Sequence, residues 1–365
     1  MKTPVNNQQI KLDIIEHINQ DHIEEVQLII MNKLPELSLK NCLLKDIFEE
    51  GIDILINTSD SREITLFVPF DIKGTIKEKL QFLFHEAVSK TNKVLKSNQH
   101  NYFKIIEKSL LTKNILRLTI KSEFQLPVNK PGYSYRFLLK KYRSKNSLEL
   151  YKTISQPTFN YLNSLALWCM KKLTNKAREK LFKLFTPKAR TYTLQKSFKS
   201  NDESGFYMGF IDIFLHENSP GSKWAMKVKA NDIIESKGEF EEKFVDFNVG
   251  KILLIADETA YPALLGILES WQNPLKPEIL IISSERDNQH YFDNSICERF
   301  NIQNIVCSPE NQAEMIIRHI DKICGFDGVW GAFEHHAAQK VRNDIRIKYK
   351  IKGKVNQIKG YWILK

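Results

Sequence analysis

The 365 residues are 42% hydrophobic and 27% charged, with a net charge of +11, a balance that excludes a wholly disordered chain and, at roughly 150 residues per domain, accommodates two or three domains. The charge is uneven: residues 1–98 carry −3, residues 99–185 carry +14 and residues 186–365 carry zero. That excludes a uniformly basic nucleic-acid coat and points to one local surface that attracts a small anion or an acidic partner.

Met1 to Gln9 are mostly polar and hold no apolar signal core. No apolar run in the chain approaches the ~20 residues of a bilayer span. The expected setting is therefore the cytoplasm, without membrane insertion. Lys11 to Leu34 places Leu12, Ile15, Ile18, Val26, Ile29 and Ile30 at helical spacing, with Pro35 at its end. Ile52–Ile56 and Ile64–Val68 read as strands around a Thr58–Ser61 turn, closed by Pro69 and Gly74. A second amphipathic helix follows at Ile76–Leu95, so residues 1–98 read as a small α+β domain ending in a polar linker, Ser97–Asn101.

Residues 99–247 offer short strands at Phe103–Ile106, Ile115–Ile120, Tyr133–Leu139, Arg190–Gln195 and Phe206–Leu215, with a helical insertion at about 158–185. Short strands separated by turns predict an antiparallel β-barrel. Residues 248–365 alternate apolar strands (Lys251–Ala256, Glu278–Ser283, Asn304–Cys307, Gly328–Phe333) with helices (Tyr261–Trp271, Glu310–Cys324, His335–Tyr349). This predicts a parallel α/β sheet. The five cysteines, Cys42, Cys169, Cys297, Cys307 and Cys324, are scattered and form no CxxC pair, which argues against a disulfide framework or a structural zinc site.

A barrel followed by a parallel α/β domain is the plan of flavin-dependent reductases, an analogy that needs site residues behind it. Four segments supply candidates. Arg190-Thr191-Tyr192-Thr193 lies on a strand, where Arg190 and Tyr192 share a face. Arg provides a forked donor for phosphate, and Tyr an aromatic flank for a ring system. Asp212-Ile213-Phe214-Leu215-His216 leads through Pro220-Gly221 into a short helix expected to begin near Ser222, with Trp224 and Ala225, whose free amides suit a phosphate. Asp257-Glu258-Thr259-Ala260-Tyr261-Pro262-Ala263 stands where the first parallel strand meets its helix, at the edge where such sheets bind ligands. Val329 to Glu334 ends a later strand, and Gly360-Tyr361-Trp362 closes the chain. Taken singly, each also reads as ordinary strand ends, caps and core.

In this order the four segments resemble the siderophore-interacting protein family, FAD-containing ferric-siderophore reductases of ferredoxin-reductase-like fold, over about Tyr102 to Lys365. The resemblance implies cofactor contacts at Arg190, Tyr192, Thr193, Asp212, Leu215, His216, Gly221, Ser222, Trp224, Ala225, Asp257, Glu258, Thr259, Glu334 and Trp362. It implies substrate contacts at Arg136, with Lys350 and Lys365 as further basic candidates. It implies no metal ligand and no general acid or base. The chain departs from the family pattern at Ala256 and Phe333, where glycines are expected, and at Gln195, where an Arg is frequent. Ala256 and Phe333 lie where a nicotinamide would dock, so the flavin site reads as better kept than the donor site.

Glu16-His17-Ile18-Asn19-Gln20-Asp21-His22 resembles a motif of the small C-terminal domain of haem-iron-utilisation proteins. That leaves His17 and His22 as candidate haem or metal ligands, or as structural residues at a helix end. The expected function is a cytoplasmic flavin-dependent ferric-siderophore reductase, with NADH, NADPH or a ferredoxin-like protein as donor. The alternatives are a haem- or iron-chelate-binding carrier, and a flavin reductase acting on haem or another acceptor. No nucleic-acid partner is expected.

Overall fold

The computed structural model describes residues 2–90, 100–142, 172–174, 177, 188–200, 205–217, 219–242 and 244–364. One unit comprises residues 1–95 and 152–187, the other residues 96–151 and 188–365. The insertion expected at about 158–185 falls almost wholly outside the described residues, as does Lys365.

The first unit runs α1 (Gln8–Asp21), α2 (Ile23–Lys33), β1 (Leu39–Ile47), β2 (Gly51–Thr58), β3 (Glu63–Pro69) and α3 (Ile76–Ser89). The single helix expected at the start is two, because the His22 backbone leaves helical geometry at φ −129° and ψ 24°. The strands form an antiparallel sheet in the order β1-β2-β3. On the central strand Ile52, Ile54 and Ile56 are fully buried, in one core with Val26 and Ile29 of α2 and Leu80 and Leu83 of α3. Thr75 and Glu78 build a reciprocal capping box that starts α3.

The second unit opens with β4 (His100–Leu110), β5 (Ile115–Ser122), β6 (Ser134–Leu138), β7 (Ala189–Lys199), β8 (Tyr207–Phe214), α4 (Pro220–Lys227) and β9 (Ile233–Phe240). The six strands close an antiparallel barrel in the order β4-β5-β8-β7-β6-β9. Alternate residues fill its core, among them Phe103, Leu118, Tyr135, Phe137 and Ile211. β10 (Ile252–Asp257), α5 (Tyr261–Glu269), β11 (Glu278–Ser283), α6 (Asn294–Arg299), β12 (Ile302–Val306), α7 (Gln312–Ile320), β13 (Gly328–Glu334), α8 (His335–Lys348) and β14 (Asn356–Trp362) follow. These five strands are parallel, ordered β12-β11-β10-β13-β14. β10 and β13 are buried along their whole length, as a sheet covered on both faces requires. The chain runs outward from β10 through β11 to β12 and then crosses over to β13 on the other side of β10. The carboxyl ends of β10 and β13 therefore flank the switch point of the sheet, where ligands of such sheets bind.

Candidate functional site

Two groups of motif residues meet in the second unit. The first forms around β7 and α4. Ser219 caps α4 by accepting from the Ser222 amide at 3.0 Å, and Pro220 occupies the first turn. The helix thus begins earlier than the expected Ser222. The Ser222 and Lys223 amides both donate to Ser219, so these two are engaged within the cap. Ser222 Oγ lies 2.8 Å from Ser219 Oγ.

The cap presents Gly221 to β7. A Cβ at Gly221 would overlap the Tyr192 hydroxyl and approach Arg190 Cγ to 3.4 Å. Glycine is what lets the two segments converge. Tyr192 stacks on Trp224 with ring centroids 6.1 Å apart and planes within 6°, and Phe137 packs against both rings, 6.1 Å from Trp224 and 6.4 Å from Tyr192. Trp224 Nε1 is fixed by donating to the Lys140 carbonyl at 2.9 Å. Burial raises the Tyr192 phenol well above its ordinary pKa, so it remains protonated. Arg190 is exposed, with a guanidinium N–H donating to the Ala189 carbonyl at 2.8 Å. Thr193 is 6% exposed and pairs with Ser134 across the ladder.

The second group lies at the carboxyl edge of the parallel sheet. Asp257, last residue of β10, accepts from Trp362 Nε1 at 2.6 Å and from the Thr259 amide at 3.0 Å and hydroxyl at 2.5 Å. Burial, with Glu258 alongside, pushes its pKa up to about 7. The Trp362 ring packs on His216 with centroids 4.4 Å apart, and Phe214 meets His216 edge-on at 4.7 Å. Burial holds the His216 pKa down at about 4, so the ring is neutral at physiological pH. Glu258 Oε1 accepts from the Ser284 amide at 2.5 Å, its hydroxyl at 2.7 Å and Asn288 Nδ2 at 3.1 Å. Glu334 caps α8 by accepting from the Ala337 amide at 2.8 Å, and its other oxygen accepts from the Leu364 amide at 3.2 Å.

Other expected site residues serve the architecture. Asp212 is fully engaged: Arg117 grips it through Nε and Nη2, both at 2.7 Å, and Tyr291 Oη donates to it at 2.6 Å. Leu215 packs against the barrel core and Ala225 lies within it. Gln195 Oε1 stands 3.5 Å from Arg117 Nη2; the Arg frequent at that position would set two guanidinium groups side by side. Arg136 points outward, its guanidinium 4.7 Å from the Phe240 ring centre, while its neighbours Tyr135 and Phe137 point into the barrel.

Lys350 is not brought to the site. Helix α8 carries the chain from the carboxyl edge back to the edge where β14 begins, and Lys350 sits in that return loop. Fourteen helical residues place it ~20 Å from the Glu334 end. Lys141, another basic neighbour, is held by Asp232 at 2.8 Å.

Ala256 and Phe333, the two departures expected where a nicotinamide would dock, are core residues. Phe333 is fully buried on the face of the sheet shared with Ala337, Val341 and Ile358, and Ala256 is fully buried on the other face. Both bulks are absorbed by core packing.

In the first unit, Asn19 acts as an added strand residue: its amide donates to the Leu44 carbonyl at 2.9 Å and accepts from the Leu44 amide at 2.7 Å. His22 forms the junction of α1 and α2. It meets His17 edge-on at 5.0 Å, lies 3.3 Å from Glu25 and stacks on Phe84 at 6.1 Å. Among the described residues, no cluster of three or more His, Cys, Asp or Glu side chains has the geometry to hold a metal ion. No helix there is long and apolar enough to cross a membrane.

Sequence reasoning missed Ser219, although Ser-Pro before a helix is a legible start signal. It also missed Arg117, Asn288 and Tyr291, which no local pattern marks.

Comparison with known proteins bears on the sequence of the second group and on the fold that carries both. Residues 249–365 match the sequence profile of the family described as siderophore-interacting protein. No curated protein sequence matches the chain. Among solved structures, the siderophore-interacting protein of Acinetobacter baumannii superposes with a TM-score of 0.53 at 18% identity, covering 73% of this chain and 91% of that one. A siderophore-interacting protein from Aeromonas hydrophila matches at 0.49 and 16% identity, covering 73% of this chain and all of the other. At these identities the structural likeness concerns the fold, while the profile match concerns the sequence of the C-terminal part. The chain carries the siderophore-interacting-protein domain over residues 249–365, behind an antiparallel barrel and a small α+β unit.

Proposed function

We propose that the protein is a flavin-dependent ferric-siderophore reductase, fed by NADH, NADPH or a ferredoxin-like donor. The observation that carries this reading is the convergence of Arg190, Tyr192 and Gly221 on the start of α4. Two segments about thirty residues apart converge there, with an exposed guanidinium beside a cluster of three aromatic rings. This is the donor set that a dinucleotide of two phosphates and a flat ring needs.

FAD, when bound, supplies the redox chemistry, accepting electrons from the donor and passing them singly to iron. Arg190 would hold the pyrophosphate through its forked N–H groups. Tyr192, kept protonated and braced by Trp224, would flank the ring system, with Thr193 on the adjoining strand position. His216 is neutral at physiological pH and, with Trp362, forms an uncharged aromatic wall at the edge of the sheet where a nicotinamide would arrive. Asp257 fixes that wall through the Trp362 N–H. Asp212 acts at one remove, by setting Arg117 and Tyr291.

Fe(III) in an oxygen-donor chelate is the substrate. Hard oxygen ligands hold Fe(III) far more firmly than Fe(II), so electron delivery alone releases the metal and no general acid or base is needed. The +14 charge of residues 99–185 raises the encounter rate with anionic chelates.

The test is an anaerobic visible spectrum of the FAD-reconstituted chain, before and after NADH or NADPH and then after a ferric catecholate. Bleaching by the donor followed by recovery on adding the chelate is the expected result. Bound FAD that no nicotinamide or reduced ferredoxin bleaches would contradict the reductase reading and favour a carrier.

A further inference from the structure

The turn between β11 and α6, residues 286–291, lies outside every motif discussed above, yet it touches both sides of the candidate site. Asn288 is fully buried and uses both ends of its amide. Its Oδ1 accepts from Thr112 Oγ1, on the β4–β5 hairpin of the barrel, at 3.0 Å. Its Nδ2 donates to Glu258, at the carboxyl edge of the sheet, at 3.1 Å. Three residues on, Tyr291 donates to Asp212 of β8 at 2.6 Å. Asp287 accepts from the Lys113 amide at 2.9 Å, and Gln289 Nε2 donates to Ser283 Oγ at 3.1 Å. Thr112 Oγ1 in turn accepts from the Asn114 and Ile115 amides at 3.3 and 3.1 Å, shaping the hairpin that Asn288 grips.

We infer that Asn288 and Tyr291, with Thr112, are positioning residues that strap the barrel to the carboxyl edge of the parallel sheet and so set how the Arg190–Tyr192–Gly221 cradle faces the Asp257–Trp362 group. None of the three touches the cradle itself. Their consequence for electron transfer rests on the flavin reading above, whereas the strap stands on the contacts alone. Buried partners left unpaired do not recover their hydrogen bonds from water, so removing one end of the Asn288 amide contact loosens the other. Transfer from donor to flavin depends on near-contact geometry and slows by up to about 100-fold on displacements of about 1 Å.

The test uses the full chain as parent, Thr112→Val, Thr112→Ser, Asn288→Ala and Tyr291→Phe. In the protein without FAD, hydrogen exchange at Thr112 to Ile115 should quicken ~10-fold in Thr112→Val and Asn288→Ala, the equivalent of one lost net hydrogen bond. It should stay parental in Thr112→Ser, and exchange in β6 and β7 should not change in any variant. With FAD bound, flavin reduction by excess NADH or NADPH should slow at least ~10-fold in Asn288→Ala and Tyr291→Phe, while FAD affinity stays within about twofold. Parental hairpin exchange in Asn288→Ala would overturn the strap, because Thr112→Val also removes the local acceptor of the Asn114 and Ile115 amides. Quickened exchange with an unchanged reduction rate would overturn its positioning role. A parent chain that binds no FAD would sink the flavin reading instead, and the exchange comparison would then decide the strap by itself.

Discussion

At the barrel, Arg190 stands exposed and Tyr192 half-buried against a glycine. At the sheet edge, Asp257, Glu258 and Glu334 are only 1%, 5% and 3% exposed, each engaged by protein donors. Both regions carry motif residues of similar chemistry, but one leaves its polar groups outward while the other turns them on its own backbone. Glu334, which caps α8 and holds the Leu364 amide, fixes the geometry of the edge. The two regions therefore respond differently to mutation: the barrel side in ligand affinity, the sheet edge in stability.

The largest expected effect is on the sheet side. Glu258→Ala strips the partner from the Ser284 amide and hydroxyl and from Asn288, and should cost about 2–4 kcal/mol in denaturant unfolding with FAD affinity little changed. A large loss of affinity at unchanged stability would erase the contrast. Arg190→Ala should do the reverse: FAD binding weakens roughly 10–100-fold, the weight of a charge-assisted contact to phosphate, while stability moves by less than about 0.5 kcal/mol. Glu334→Ala removes an N-cap and should cost about 1 kcal/mol of stability, read by thermal or denaturant melts.

In the parent the smallest net effect is in the pH dependence of stability, because two buried groups oppose each other. His216 ionises near 4 when folded against 6.5 when free. Between those values the unfolded chain binds the extra proton, so this group makes stability fall as the pH drops from 6.5 towards 4. Asp257 is raised from 3.8 to about 7. Across that range the folded chain holds the proton, so this group makes stability fall as the pH rises. The two slopes oppose each other between about pH 4 and 6.5. Asp257→Asn should steepen the loss of stability on acidification, and His216→Gln should reverse it. Identical slopes in parent and both variants would show that neither group titrates as its burial dictates.

Much of this was legible before the fold. Apolar runs at Ile252–Asp257 and Gly328–Glu334 announced a parallel sheet because strands covered on both faces leave few positions for polar residues. β1, β9 and β14 were not foreseen, and each has a local cause. Leu39–Ile47 interleaves Lys, Asn and Asp with its leucines, Ile233–Phe240 carries Glu235, Ser236 and Lys237, and Asn356–Trp362 has one aliphatic residue. β9 and β14 take their strand character from partners far along the chain, β4 and β6 for the first and β13 for the second, whereas β1 pairs with the adjacent β2; in β9 the buried Glu235 is satisfied by His100 and Tyr142. The His22 break was hidden because both helices keep the same apolar spacing. In the site, Arg190, Tyr192 and Gly221 were readable as a set. The engagement of Asp212 by Arg117 and Tyr291 was not, since the three residues come from separate stretches of sequence. Lys350 was misplaced because nearness to the C-terminus says nothing about which edge of the sheet a return loop occupies.

The central claim is that Gly221 leaves room for Tyr192 and Arg190 to form a flavin cradle. Titration of the FAD-free chain and its Gly221→Ala variant with FAD, followed by flavin fluorescence, tests it most directly. The account predicts saturable binding by the parent and at least ~100-fold weaker binding by Gly221→Ala, about 2.7 kcal/mol, in a variant that still unfolds cooperatively. Equal affinity in the two proteins, or no binding by either, would contradict it.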